Sequence, residues 1–218
     1  MNKNSKSFCI YCSNGASRVI RFYAFKENLI KYKPKKLIYD GERDDIITKL
    51  NEMFGDDLIL FNKNVKNFDQ KRIHNSTSQF INKVMDDFSI EYLLCFGDKI
   101  IKKEFISSYP NRLINFHPAI LPSFKGLKAI NQALESKVVF LGNTAHFMDE
   151  GIDTGKIIVQ TAMLTEEFED YEDVLEMQFP MIKLVLRDIL GYDVKKSSIM
   201  IELKTRKKRI LIPEKCNL

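Results

Sequence analysis

The chain has 218 residues, 44% hydrophobic and 29% charged, with a formal net charge of +5. That is enough for one sizeable core with at most a small appendage. No apolar run reaches the roughly 18 residues of a membrane span. The opening MNKNSKSFCIYC lacks the long apolar segment and cleavage site of a signal peptide, so the chain reads as cytoplasmic with no membrane partner. The mild positive charge admits an anionic substrate without demanding nucleic acid.

Phe8–Cys12 reads as a buried strand, followed by the turn Ser13-Asn14-Gly15 and a helical stretch over 16–28. Cys9 and Cys12 have the C-x-x-C spacing of a redox or zinc pair. They lie inside an apolar run and no second C-x-x-C exists, which favours the strand. Strands are expected over 36–40 and 58–61, and a helix over 46–54. A further helix over 77–88 places Phe80, Ile81, Val84, Met85 and Phe88 on one face. Tyr92–Phe96 is a short, fully apolar strand closed by Gly97-Asp98. This strand–helix alternation predicts a parallel sheet with helices on both faces.

The second half changes character. A strand over 113–116 runs into the proline-punctuated HPAILPSFKG, and a helix follows over 128–135. Strands over 138–147 and 156–165 flank the turn 149–155, and a long amphipathic helix covers 169–189. Segments 197–204 and 209–212 read as a final hairpin. The basic run Lys204, Arg206, Lys207, Lys208 and Arg209 lacks interleaved aromatics, and fits a solvated edge better than a nucleic-acid surface. The expected fold class is α/β, Rossmann-like, with a mainly parallel central sheet and an antiparallel portion in the second half. Residues 1–195 are expected to form the main domain, and 196–218 a strand or hairpin extension packed on it.

Candidate chemistry concentrates between 113 and 160. Asn115 and His117 stand two apart at a strand end, so their side chains share one side. Pro118 then turns the chain away. Ligands in open α/β sheets bind beyond the carboxyl ends of strands. Asp153 lies in a tight loop between Gly151 and Gly155. An amide, an imidazole and a carboxylate there suit attack by an amine on a carbonyl carbon. The developing oxyanion needs a donor, supplied by Asn115 or a protonated His117. The attacking nitrogen needs a proton acceptor, supplied by Asp153. The carboxylate is also expected to raise the pKa of His117 and favour its charged form. Taken singly, each residue has a structural reading as strand cap, loop partner or turn former. The chemistry requires neither a metal nor a covalent nucleophile.

The segment LINFHPAILPSFKGLKAINQALESKVVFLGNTAHFMDEGIDTGKIIVQ resembles the catalytic segment of glycinamide ribonucleotide transformylases and, more widely, the folate-dependent formyltransferase superfamily. The matching pieces are N-x-H-P with its following L-P and G, the G-x-T-x-H-F strand, and D-x-G-x-I-x-x-Q. The resemblance implies N-formyl transfer from 10-formyltetrahydrofolate to a primary amine of a small phosphorylated acceptor, glycinamide ribonucleotide or a nucleotide-linked amino sugar. It makes Asn115, His117 and Asp153 catalytic. Phe96, Ile100 and Ile101 become a folate wall, with Met148, Glu150, Gly151 and Ile152 in the loop that grips the pterin. His146, on the adjoining strand with Thr144, is assigned a structural part. The loop after the first strand, with Ser13, Asn14, Gly15, Ser17 and Arg18, would hold the acceptor's phosphate. It keeps one glycine where glycinamide ribonucleotide enzymes have G-x-G-S-N. Their substrate-touching glutamate has no clean match here, although Glu176 is near. The alternatives are a formyltetrahydrofolate hydrolase and an inactive folate- or nucleotide-binding module. An oligomer is compatible with the sequence.

Overall fold

The computed structural model describes residues 5–61, 70–165 and 171–192. The expected hairpin, the basic run and the 196–218 extension lie outside the described residues.

Among the described residues seven strands form one sheet: β1 (Phe8–Cys12), β2 (Lys36–Tyr39), β3 (Leu58–Leu60), β4 (Tyr92–Phe96), β5 (Leu113–His117), β6 (Phe140–Phe147) and β7 (Ile157–Leu164). Their order is β3-β2-β1-β4-β5-β6-β7. The first five are mutually parallel, β6 pairs antiparallel with β5, and β7 pairs antiparallel with β6. The expected mixed sheet is therefore present. The chain builds outward through β2 and β3 and then returns to the other side of β1. The crevice where the order reverses, between the carboxyl ends of β1 and β4, is where such sheets bind ligands.

The helices are α1 (Ser17–Ala24), α2 (Lys26–Lys31), α3 (Asp44–Phe54), α4 (Gln70–Asp87), α5 (Lys103–Ser108), α6 (Ala129–Glu135), α7 (Tyr171–Glu176) and α8 (Gln178–Asp188). Period-two alternation sends side chains of each strand to opposite faces. Phe8, Ile10 and Cys12 pack with α1, α3 and α8 on one side. Cys9, Tyr11 and Cys95 pack with α4 and α5 on the other. Cys9 and Cys12 thus lie on opposite faces of the sheet, so the C-x-x-C spacing makes neither a redox pair nor a metal pair. Burial pushes their thiols, and that of Cys95, well above the ordinary range.

Three expectations are corrected. The helix over 16–28 is two helices broken at Phe25, which is extended (φ −74°, ψ 106°). The helix over 169–189 breaks at Met177. Pro180, in the first turn of α8, cannot continue a helix from α7, because its ring would meet the carbonyl four residues back. The six-residue α5 was not expected. It buries Phe105 and Ile106 on a segment too short for its periodicity to register. Among the described residues no helix is long and apolar enough to cross a membrane.

Candidate active site

β5 delivers Asn115 and His117 to the face that carries α4 and α5, and β6 runs antiparallel beside it. Register sets His146 opposite Asn115 and Thr144 opposite His117. The tight connection between β6 and β7 then carries Asp153 back over the strand ends. Asp153 has φ +51°, the left-handed region that Asp and Asn tolerate better than most residues. Gly155 lets the loop fold this closely, since a Cβ there would lie 1.7 Å from the Phe147 carbonyl oxygen.

The three predicted residues meet. Asn115 Nδ2 donates to Asp153 Oδ1 at 3.3 Å, and His117 Nδ1 lies 3.2 Å from Asp153 Oδ2. Two residues join them. His146 Nε2 is 3.4 Å from Asp153 Oδ1 and 3.3 Å from Asn115 Nδ2. Gly126, at φ +81°, donates its N–H to Asp153 Oδ2 at 2.8 Å. His146 is thus part of the cluster, beyond the structural part assigned to it. Its Nδ1 lies 3.0 Å from the Phe147 carbonyl. The signal for both additions was in the sequence: T-x-H on β6 mirrors N-x-H on β5, and the glycine after L-P was conspicuous.

Electrostatics modifies the expected chemistry. Burial of His117 pushes its pKa below the ordinary histidine value, outweighing the opposing pull of Asp153 and the Phe124 carbonyl. The expectation of a raised pKa is corrected: desolvation of a ring 4% exposed exceeds the Coulombic gain. Both ring nitrogens nevertheless face acceptors, with Nε2 2.8 Å from Phe124 O. A second proton arriving during reaction therefore has a partner waiting. Burial alone would raise the Asp153 carboxyl, but His146, the Gly126 N–H and His117 together take it below the usual aspartate range. At neutral pH the cluster presents a carboxylate beside a ring free to accept a proton, with amide N–H donors alongside.

The loop 118–126, which supplies Gly126 and the Phe124 carbonyl, is itself pinned. Thr144 Oγ1 donates to Ala119 O and accepts from Leu121 N, while Gln160 Nε2 donates to Leu121 O and to Thr144 Oγ1. The terminal Q of D-x-G-x-I-x-x-Q therefore holds the loop that holds His117.

The residues assigned to the folate wall divide. Ile101 is buried with Leu113 and Phe105, and Met148 packs on the same cluster. Ile100 and Ile152 are exposed. Glu150 accepts from Ser107 Oγ at 3.2 Å, and Gly151 donates its N–H to Asp149. Phe96 is corrected. It points to the opposite face from Asn115, stacked on Phe116 at 4.6 Å in the α1–α8 core.

The residues assigned to phosphate divide as well. Ser13, Asn14 and Gly15 line the crevice after β1, and Ser17 opens α1. Arg18 turns inward, donating to Phe96 O, Phe116 O and Gln178 Oε1, because those carbonyls end strands directly beneath α1. Gln178 is fully buried and donates to Asn143, which donates to Val174 O. This polar chain tying α1, α7 and α8 to the sheet was missed. Glu176 pairs with Arg21.

A protein-family model described as formyl transferase matches residues 45–179, well over half of the chain. The chain belongs to the formyl transferase family. It is 33% identical over 104 residues to the phosphoribosylglycinamide formyltransferase of Bacillus subtilis (strain 168), covering 46% of this chain and 51% of that protein. It is 40% identical over 84 residues to the human trifunctional purine biosynthetic protein adenosine-3, covering 38% of this chain and 8% of that one. The matches thus span about half of the first relative and a small part of the second. Among solved structures, glycinamide ribonucleotide transformylase 1 of Geobacillus kaustophilus superposes with a TM-score of 0.70 at 22% identity, covering 86% of this chain and all of that one. At that identity the likeness is one of fold.

Proposed function

We propose that this formyl transferase family member is an N-formyltransferase that moves the formyl group of 10-formyltetrahydrofolate to the primary amine of a small phosphorylated acceptor. Glycinamide ribonucleotide is the favoured acceptor, because the relatives' names carry it; a nucleotide-linked amino sugar is the second. The observation that carries the reading is the Asp153 carboxylate, 3.2–3.4 Å from the side-chain nitrogens of Asn115, His117 and His146.

The chemistry follows from that geometry. The formyl oxygen takes an N–H now given to Asp153 by Asn115. The amine nitrogen attacks the formyl carbon, and the carbonyl π electrons move onto that oxygen, where the donor stabilises them. Asp153 or His117 accepts the proton that the attacking nitrogen sheds. Collapse expels the folate nitrogen, which takes up a proton, and leaves a formamide. Ile100 and Ile152 supply exposed apolar surface suited to the pterin.

The test is incubation with 10-formyltetrahydrofolate and a panel of amines that includes both acceptors, read by mass spectrometry for gain of one formyl group. Formate release with no formylated amine would make the chain a hydrolase. Folate binding with no turnover would make it a binding module.

A further inference from the structure

The parallel register of β4 and β5 runs through Leu93–Leu113, Leu94–Ile114 and Cys95–Asn115 and stops there. Phe96 and Phe116 lie one step beyond the last pair, their rings stacked with centroids 4.6 Å apart. Arg18, half-buried at the start of α1, spans these two strand ends. Its Nη2 donates to Phe96 O at 2.8 Å and its Nη1 to Phe116 O at 3.4 Å. The guanidinium carbon stands 5.3 Å from the centre of the Phe96 ring. Gln178 holds the fork in place: Oε1 accepts from Arg18 Nη1 at 3.1 Å, and Nε2 donates to the same Phe116 carbonyl at 3.3 Å. Phe116 sits between Asn115 and His117, the reacting side chains of β5. Phe96 leads into Gly97-Asp98, whose carboxylate accepts from Ser13 Oγ and Asn14 Nδ2, both at 2.9 Å. The loop after β1 is thus fastened to the end of β4 and the reacting groups stand on the end of β5, with one planar guanidinium joining the two.

We propose that Arg18 is a positioning residue for the acceptor: by bridging the carbonyls of Phe96 and Phe116 it sets the span from the loop after β1 to Asn115 and His117, and so fixes where an acceptor anchored at that loop delivers its amine. Arg18 touches neither substrate and acts through two backbone carbonyls. An acceptor held at one end by its phosphate and reacting at the other feels that span directly, and a misplacement of about 1 Å costs on the order of a hundredfold in rate. An amine without a phosphate has no such tether and settles against the formyl carbon whatever the span. Lysine does not replace the fork, because one ammonium on a flexible stem is a point donor, whereas the planar guanidinium reaches two oxygens at a fixed separation. The assignment of the loop to the acceptor rests on the formyltransferase reading, whereas the bridge between β4 and β5 stands on the contacts alone.

The test compares the full chain with Arg18→Lys and Arg18→Met. Methionine keeps apolar packing on the Phe96 ring and removes the donors; lysine keeps the charge and removes the fork. Each protein is assayed with 10-formyltetrahydrofolate and two amines: glycinamide ribonucleotide, and glycinamide, which carries the same amine without the ribose phosphate. In both variants kcat for glycinamide ribonucleotide is expected to fall roughly tenfold to hundredfold. KM for 10-formyltetrahydrofolate and kcat/KM for glycinamide should each hold within about threefold of the parent. Equal losses on the two amines would make Arg18 a general support of the fold and overturn the proposal. Parental rates in Arg18→Lys would also overturn it, by leaving charge rather than the fork as what is needed. Crystal structures of the parent and Arg18→Met read the bridge without turnover: the carbonyls of Phe96 and Phe116 should stand further apart in the variant, and an unchanged separation refutes the bridge. Should methionine prevent folding, Arg18→Lys carries both measurements under the same criteria. If the parent formylates neither amine, the enzymatic reading falls, and the strand separation still decides the bridge.

Discussion

Asp153→Asn separates the carboxylate's chemistry from its architecture. Asparagine tolerates the left-handed backbone that position 153 requires (φ +51°), whereas alanine would add strain. Its Oδ1 can still accept from the Gly126 N–H, and its amide can donate to His146 Nε2. What disappears is a negative charge 3.2 Å from His117 Nδ1 and the proton acceptor itself. General-base groups contribute about 10²–10⁴ in rate, so kcat should fall by that factor, about 2.7–5.4 kcal/mol of transition-state stabilisation. Stability should change by only about 1 kcal/mol, the net worth of one hydrogen bond. Folate affinity should hold, because the exposed Ile100 and Ile152 offer apolar contact independent of this charge. Tetrahydrofolate release by absorbance, folate binding by calorimetry and a thermal melt on one preparation check all three. A folded variant with kcat within about threefold of the parent refutes the assignment of Asp153 as proton acceptor.

Further expectations concern the neighbours. His117 should titrate below 6.5 by NMR, and lower still in Asp153→Asn, which removes the charge that opposes burial. Both His117 and Asp153 have depressed folded pKa values. The His117 contribution to stability is therefore complete above its unfolded value of about 6.5 and is lost as pH falls through the folded one. That of Asp153 follows below about 3.9. Melting temperature should thus decline in two stages on acidification. Gln178→Ala takes one acceptor from Arg18 and leaves the fully buried Asn143 without its Gln178 donor, and should cost about 2–4 kcal/mol, roughly 5–15 °C of melting temperature by calorimetry. Gly155→Ala forces a Cβ against Phe147 O; hydrogen exchange should show loosening around the Phe147 N–H to Lys156 O bond, with activity falling further than stability.

The parts of the fold and site that were legible in the sequence are those written in local pattern. β1 and β4 announced themselves as apolar runs, and N-x-H-P marked a strand end where side chains two apart must share a side. Asp153 stood out because glycines bracket it. What escaped depends on partners distant in sequence. Arg18 looked like a phosphate ligand until Phe96 and Phe116 carbonyls appeared beneath it, and Gln178 carried no local sign of its place in the core. Phe96 was assigned to the folate wall through the family resemblance. Only the register that pairs Cys95 with Asn115 fixes which face it takes. Asp98 reads as half of a Gly-Asp turn, and its hold on Ser13 spans 85 positions. The sign of the His117 shift was missed for a related reason: proximity to a carboxylate can be inferred from sequence, but the depth of burial that outweighs it cannot.

The cluster straddles the seam where the sheet changes from parallel to antiparallel. Asn115 and His117 come from the last parallel strand, while His146 and Asp153 arrive 31 and 38 positions after Asn115. A nascent chain can lay down β1 to β5 and cover one face with α4 and α5 before any of the later groups exist, while the other face awaits α8, so burial of that first face and assembly of the reacting groups are separate events in time. Recovery of turnover during refolding should accordingly trail recovery of compactness, because it awaits docking of β6 and return of the 149–155 loop. In the formyltransferase reading, turnover would serve as a clock for the last step of folding rather than for the first.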